Sequence, residues 1–368
     1  FPRKDSWITS GSDLVTGVTQ QDQNFGQDEI LELKKFYYNN SFDHQTRVLI
    51  DFSGPDFTTM SQSIHNNEIK SPKFFLRLYE AQGNKELSTD YKLAAYPISA
   101  SWAEGVGKFG DSPKVTDGVS WENKTNYKGA SAVAWNNSVS GEGVSYISGA
   151  VDVTSQSFSS ESPDISMDVT RTVNRWLNNT NKNYGFLLRF SGSQETDSTT
   201  TGQLKFFSKN TNTIYAPKLE VRWDDHLPCT GSNTGSLVSA SLTGTGDKYI
   251  YMTGLKDSYK ESDKIKFRLK VRERYIQKTF NTSVQDATGS YIPEGSGTYA
   301  IKDIATDEYV VPFDDNYTKI SCDPKSNYFI QWLNGFNPDR VYKIIYKLKF
   351  DDGQEQIFDE GFEFKIKR

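Results

Sequence analysis

Between residues 163 and 190 the hydrophobic period of this chain changes from two to roughly four and back again. Val169, Val173, Trp176 and Leu177 fall at i, i+4, i+7 and i+8, which places all four on one helical face. Asp168 or Thr170 suits the N-cap, and Asn178-Asn179 with Asn181 makes a stop signal. Tyr184 to Phe190 then reads as an aromatic, branched strand. The expectation is one short helix pinned against a sheet by one tryptophan, with the fold built around it.

The rest of the chain alternates with a period near two. Strands are predicted at Glu29–Leu33, Thr46–Phe52, Lys73–Tyr79 and Lys92–Ile98, and again at Lys205–Ser208 and Pro217–Trp223. Turn-forming Ser, Thr, Asn and Gly separate them. Aromatic residues at 14% compensate for a hydrophobic share of 35%, so sizeable cores are affordable within 368 residues, enough for two or three domains. The polar, turn-rich run 224–235 marks a domain boundary. After it about eight predicted strands restart, from Leu237–Leu242 to Phe362–Ile366. In Val341–Phe350 lysines interleave with apolar residues, as in a sheet with one wet face, and Asp351-Asp352-Gly353 turns a hairpin.

This pattern predicts an all-β chain: a jelly-roll-like β-sandwich with one short helix, followed by an immunoglobulin-like β-sandwich. The expected organisation is an N-terminal arm or short edge strands at 1–30, a first sandwich at 31–224, a linker at 225–236 and a second sandwich at 237–368. The start, Phe1-Pro2-Arg3-Lys4-Asp5, carries neither an initiator Met nor an apolar signal core, as expected of a processed or trimmed end.

A net charge of −5 argues against broad affinity for nucleic acid or anionic membranes, and no apolar run approaches the roughly 18 residues of a spanning helix. Gly105-Val-Gly-Lys-Phe-Gly110 spells G-x-G-x-x-G, but Asp111-Ser-Pro113 follows it, so the phosphate-binding helix N-terminus is missing and the stretch reads as a loop. His44, His65 and His226 lack zinc-ligand spacing and read as exposed surface residues, and no Gly-x-Ser-x-Gly elbow occurs. Asp224-Asp225, Asp314-Asp315-Asn316 and Asp351-Asp352-Gly353 offer oxygens to calcium but lack EF-hand spacing, and read as turns. Cys229 and Cys322 admit one long-range disulfide or two unpaired thiols. No residue is assigned to catalysis, a cofactor or a metal.

Two features carry candidate contacts. Trp102 beside Glu104 pairs an indole on which a sugar can stack with a carboxylate for its hydroxyls, although core packing is favoured for Trp102, as for Trp121, Trp135 and Trp176. Lys264, Lys266, Arg268, Lys270 and Arg272, with Arg274 beyond, alternate along one predicted strand. Same-face cations can follow a phosphate chain, but in an acidic protein a partner-contact strand is the favoured reading.

The order of landmarks in the first half resembles the DNRLRE-domain family of β-sandwich modules. It runs through Trp102–Gly107, Gly118–Trp121, Met167–Leu177, Asn183–Leu188, Phe207–Lys209 and Ala216–Arg222, covering about residues 30–223. The six-letter string that names the family is absent. The resemblance implies a carbohydrate-binding or structural module of surface or secreted proteins. The second half, through Lys264–Tyr275 and Phe329–Phe336, looks like the C-terminal part of virion proteins of large tailed phages. Together these imply a non-enzymatic virion structural protein (head, neck or tail accessory) that meets other virion proteins in a symmetric, multi-copy assembly, without nucleic acid or membrane. The alternative is a carbohydrate-binding or adhesion module, at a cell surface or as a receptor-binding part of a particle. A glycoside hydrolase using Glu104 ranks below both.

Overall fold

A computed structural model describes residues 1–368 apart from 13–16, 39–40, 83–89, 128–130, 137–142, 160–163, 244–247, 276–279 and 281–288, and apart from the side chains of 37–38 and 41–43. Pro163, where the helix-bearing stretch begins, lies outside the described residues. The chain divides into two compact units, Phe1–Arg222 and Trp223–Arg368.

In the first unit a five-stranded sheet runs in the order Lys4–Thr9, Thr46–Asp51, Phe186–Phe190, Asp90–Pro97, Thr154–Ser159, every neighbour antiparallel. Two smaller sheets form the second layer. One joins Ser41–Asp43, Ile30–Tyr38, Gly202–Phe207 and Glu80–Gln82; the other joins Ile165–Asp168, Lys73–Leu78 and Lys218–Arg222. Alternate residues of the large sheet (Val48, Ile50, Leu93, Phe186, Leu188) meet Leu31, Leu33, Leu76, Leu204 and Phe206 in one contiguous core. The opposite face of the same sheet is not wet. Ile8, Leu49, Ala94, Tyr96 and Leu187 are covered by Trp102, Val119, Trp121, Trp135, Val144 and Tyr146 from the connection 98–153. Burial on both faces explains why Thr46–Asp51 and Phe186–Phe190 are buried at every position and read as continuous rather than alternating runs.

The described residues of 1–30 are therefore not a free arm. Lys4–Thr9 is an edge strand of the large sheet, with Trp7 entering the sandwich core stacked on Phe25 at 3.9 Å and Ile8 entering the second cluster. Two apolar side chains on opposite faces of one strand each find a core, and that burial holds the segment down.

The helix comes where the periodicity places it, at Thr170–Leu177, with Val169 and Val173 fully buried, Trp176 buried and Leu177 packed on the core. Its N-cap is Val169 rather than Asp168 or Thr170. The Asp168 carboxylate instead accepts the Thr170 N–H at 2.9 Å, and the Thr170 hydroxyl accepts the Phe74 N–H at 2.9 Å, which ties the helix start to the strand Lys73–Leu78. Asn178 is the C-cap and Asn179 follows at φ +55°, the stop that the asparagines predict. A second helix, Pro55–His65, goes beyond the single one expected. Pro55 in its first turn, Asp56 beside it, and Phe57, Met60 and Ile64 against the core are ordinary helix signals, hidden among the polar residues around them.

The second unit pairs a four-stranded sheet (Lys248–Thr253, Lys264–Glu273, Ser326–Trp332, Ser321–Asp323) with a five-stranded one (Ser258–Lys260, Glu355–Lys367, Val341–Lys349, Gly297–Asp303, Tyr309–Val311) over a core rich in Phe and Tyr. Ser258–Lys260 joins in parallel, and all other neighbours are antiparallel. The strand expected at Leu237–Leu242 is absent; only a bridge from Ser239 to Tyr291 forms there. The linker expected at 225–236 is packed onto this unit. Leu227 exchanges hydrogen bonds with the strand Ser321–Asp323, and the Cys229 N–H donates to Glu294 at 2.6 Å. The boundary lies at Arg222/Trp223 because the polar run spends its backbone groups on the second sandwich.

Candidate functional site

The Trp102–Glu104 pair does not form an open sugar site. Trp102 is 4% exposed, its indole N–H donates to the Tyr184 carbonyl at 3.0 Å, and the Lys4 ammonium sits 4.2 Å from the ring centre. That same ammonium bonds to the Trp102 carbonyl. Glu104 accepts the Asp5 N–H at 3.0 Å and pairs with Lys209 at 3.1 Å. Both residues fasten the connection 98–153 to the edge strand, Trp102 by packing in the core and Glu104 by its bond to the Asp5 N–H. The adjoining glycines serve the same junction. The Asn24 amide donates to Glu104 and Val119 carbonyls at 2.7 and 2.8 Å and accepts the Gly107 N–H at 2.8 Å. A Cβ on Gly105, whose φ is +85°, would stand 2.1 Å from the Asp117 carbonyl oxygen. Close backbone approach, not phosphate binding, explains the G-x-G-x-x-G letters.

A buried ionic cluster that the sequence does not announce lies on the same face of the large sheet. Glu195 pairs with Arg47 at 2.8 Å and with Arg189, whose guanidinium also donates to the Tyr146 hydroxyl at 3.0 Å. Arg47 lies 4.7 Å from the Trp121 ring and Arg189 4.5 Å from the Tyr96 ring. His44 is buried rather than exposed, while His226 bonds to Glu294 at 2.8 Å. Asp224, Asp314 and Asp352 each accept backbone N–H groups two residues on, which makes them turn caps. Among the described residues no group of three His, Cys, Asp or Glu is placed to hold a metal. Cys229 and Cys322 are both buried and reduced, and they share one interior spot. Asn327, directly opposite Cys322 on the sheet, donates its amide to the Cys229 sulfur at 3.4 Å.

The cationic strand Lys264–Glu273 is the most organised exposed feature. It lies second in its four-stranded sheet with a neighbour on each side, so it offers side chains rather than an open edge. Phe267, Leu269 and Val271 point into the core, which turns Lys264, Lys266, Arg268, Lys270 and Arg272 outward over about 27 Å at ~3.4 Å per residue. Neighbouring strands supply the rings beneath them. Lys264 lies 4.3 Å from the Trp332 ring centre, Lys266 3.8 Å from Tyr328 and Arg272 4.7 Å from Tyr249, which stacks on Tyr251 at 6.4 Å. Arg268 grips Asp323 through two bonds of 2.8 Å and keeps that carboxyl well below its usual range. The aromatic residues were not legible as part of this surface, because only sheet pairing brings Tyr249, Tyr328 and Trp332 beside the cations.

No family model matches the chain, and no curated protein matches it. Among solved structures, the adhesin domain of Epf from Streptococcus pyogenes is similar over 99% of this chain and 92% of that one, at 8% identity and a TM-score of 0.17.

Proposed function

We propose that this chain is a non-enzymatic structural component of a tailed-phage virion, a head, neck or tail accessory protein present in multiple copies and acting through protein–protein contacts. The observation that carries the contact role is the row Lys264, Lys266, Arg268, Lys270 and Arg272, in which Lys264, Lys266 and Arg272 are steadied by rings and Arg268 by Asp323. Side chains already held in place lose little freedom on docking, and Arg, Tyr and Trp are the residues enriched in interface centres. The particle assignment rests on the resemblance of the second half to tailed-phage virion proteins. The DNRLRE-like reading of the first unit is supported by its landmarks Trp102, Trp121, Met167 and Trp176, all of which lie in cores.

Mass spectrometry of purified particles tests the assignment: the chain is expected at a constant stoichiometry of several copies. The double reversal Lys270→Glu with Arg272→Glu is expected to leave the soluble protein folded and remove it from particles. Absence of the unmodified chain from particles would sink the virion reading. Undiminished incorporation of the double variant would remove the cationic row from it.

A further inference from the structure

Cys229 and Cys322 are the chain's two cysteines, so neither has a third thiol to compete for it. They are 3% and 1% exposed, and both are thiols in this structure. Their sulfurs lie within hydrogen-bonding reach of each other inside the second unit. Asn327, the cross-strand partner of Cys322, donates its amide to the Cys229 sulfur at 3.4 Å and to the Ile292 and Ser321 carbonyls at 3.3 and 3.4 Å. The Cys229 thiol faces the Ile320 carbonyl at 3.6 Å and the Cys322 thiol the Asp323 carbonyl at 3.8 Å. Backbone bonds hold both sides of the pair. The Cys322 N–H donates to the Leu227 carbonyl at 3.2 Å, and the Leu227 N–H donates to the Ser321 hydroxyl at 3.1 Å. Glu294 takes the Cys229 N–H on one oxygen at 2.6 Å and the His226 ring on the other at 2.8 Å.

We propose that Cys229 and Cys322 form a covalent cross-linking site, joined as a disulfide when the folding chain meets a small disulfide such as oxidised glutathione. One cysteine thiolate attacks the small disulfide, releasing one small thiol and leaving a mixed disulfide on the protein. The other cysteine then attacks the protein sulfur of that bond and releases the second small thiol. Two electrons pass to the small disulfide, and the two cysteine protons end on the two released thiols. Burial sets when this happens: the reagent reaches the sulfurs before the segment 224–235 docks, and not in the folded unit. The link ties that entry segment to Ser321–Asp323, the outermost strand of the four-stranded sheet. The folded chain already holds the two sulfurs together, whereas roughly ninety residues separate them in the unfolded chain, so the bond restricts the unfolded state far more than the folded one. Its cost is the loss of two S–H groups, which are weak donors. The site is independent of the virion reading, since it needs no partner chain.

The test refolds the full chain from urea in a mixture of oxidised and reduced glutathione, and in parallel with dithiothreitol. The glutathione product is expected to be a single chain lighter by two hydrogens, with the Cys229 and Cys322 peptides joined in a non-reducing digest. Its second unit is expected to unfold at a midpoint about 1 M urea or more above that of the reduced chain. Amide exchange around Leu227 and Cys322 is expected to slow in the linked form. Cys229→Ala and Cys322→Ala, each refolded both ways, are expected to show no such gain. Free thiols after refolding in glutathione, glutathione retained on both cysteines, a bond between two chains, or an internal link that leaves the midpoint unchanged or lower overturns the proposal.

Discussion

The Trp176 indole packs on Phe186 with ring centres 4.7 Å apart, and Phe57 meets the same indole edge-on at 6.3 Å. One side chain thus joins the helices Pro55–His65 and Thr170–Leu177 to the strand at the middle of the large sheet.

Trp176→Ala is expected to destabilise the first unit by about 3–5 kcal/mol, because it removes the shared contact and leaves a cavity that two helices and a strand cannot all close. Urea unfolding followed by circular dichroism checks this. A loss under about 1 kcal/mol would show the helices held elsewhere.

Glu195 pairs with both Arg47 and Arg189, and all three are buried. Glu195→Gln removes the carboxylate charge that two buried guanidinium groups share, and a loss of about 3–5 kcal/mol is expected. The variant is also expected to loosen the covering connection first, read as faster amide exchange around Trp121 and Tyr146 than in the sandwich core.

Burial raises the Asp5 carboxyl from 3.8 to about 7, with Glu104 adding to the rise and Lys209 opposing it. The folded state therefore holds a proton that the unfolded state has released between these values. The stabilising contribution is complete below pH 3.8 and disappears as pH rises through about 7, a span worth on the order of 4 kcal/mol at most. Unfolding midpoints taken across this window are expected to fall more steeply with rising pH in the native protein than in Asp5→Asn. Parallel profiles would mean that Asp5 ionises freely.

Burial, with the neighbouring Cys322 thiol adding to it, pushes the Cys229 thiol far above its ordinary value, and burial raises Cys322 as well. Since the thiolate is the reactive form, neither is expected to react with a maleimide near pH 8 until the second unit unfolds, when both label together. Labelling of the folded protein at the rate of a free thiol would contradict the burial of both.

Much of the architecture is readable from local order alone. Val169, Val173 and Trp176 share a helical face by spacing, and Phe267, Leu269 and Val271 share a strand face, because side-chain direction follows backbone period. The boundary near residue 223 is similarly legible, since a turn-rich run interrupts both patterns. Composition, by contrast, leaves Trp102 a plausible sugar platform, and only the fold decides against it: the indole lies under a lysine in a core. Arg47 meets a carboxylate 148 residues away, and the cations of one strand meet rings from two others. Periodicity says which way a side chain points; strand order and the covering of the sheet's second face decide what it points at, and those depend on pairings between distant parts of the chain.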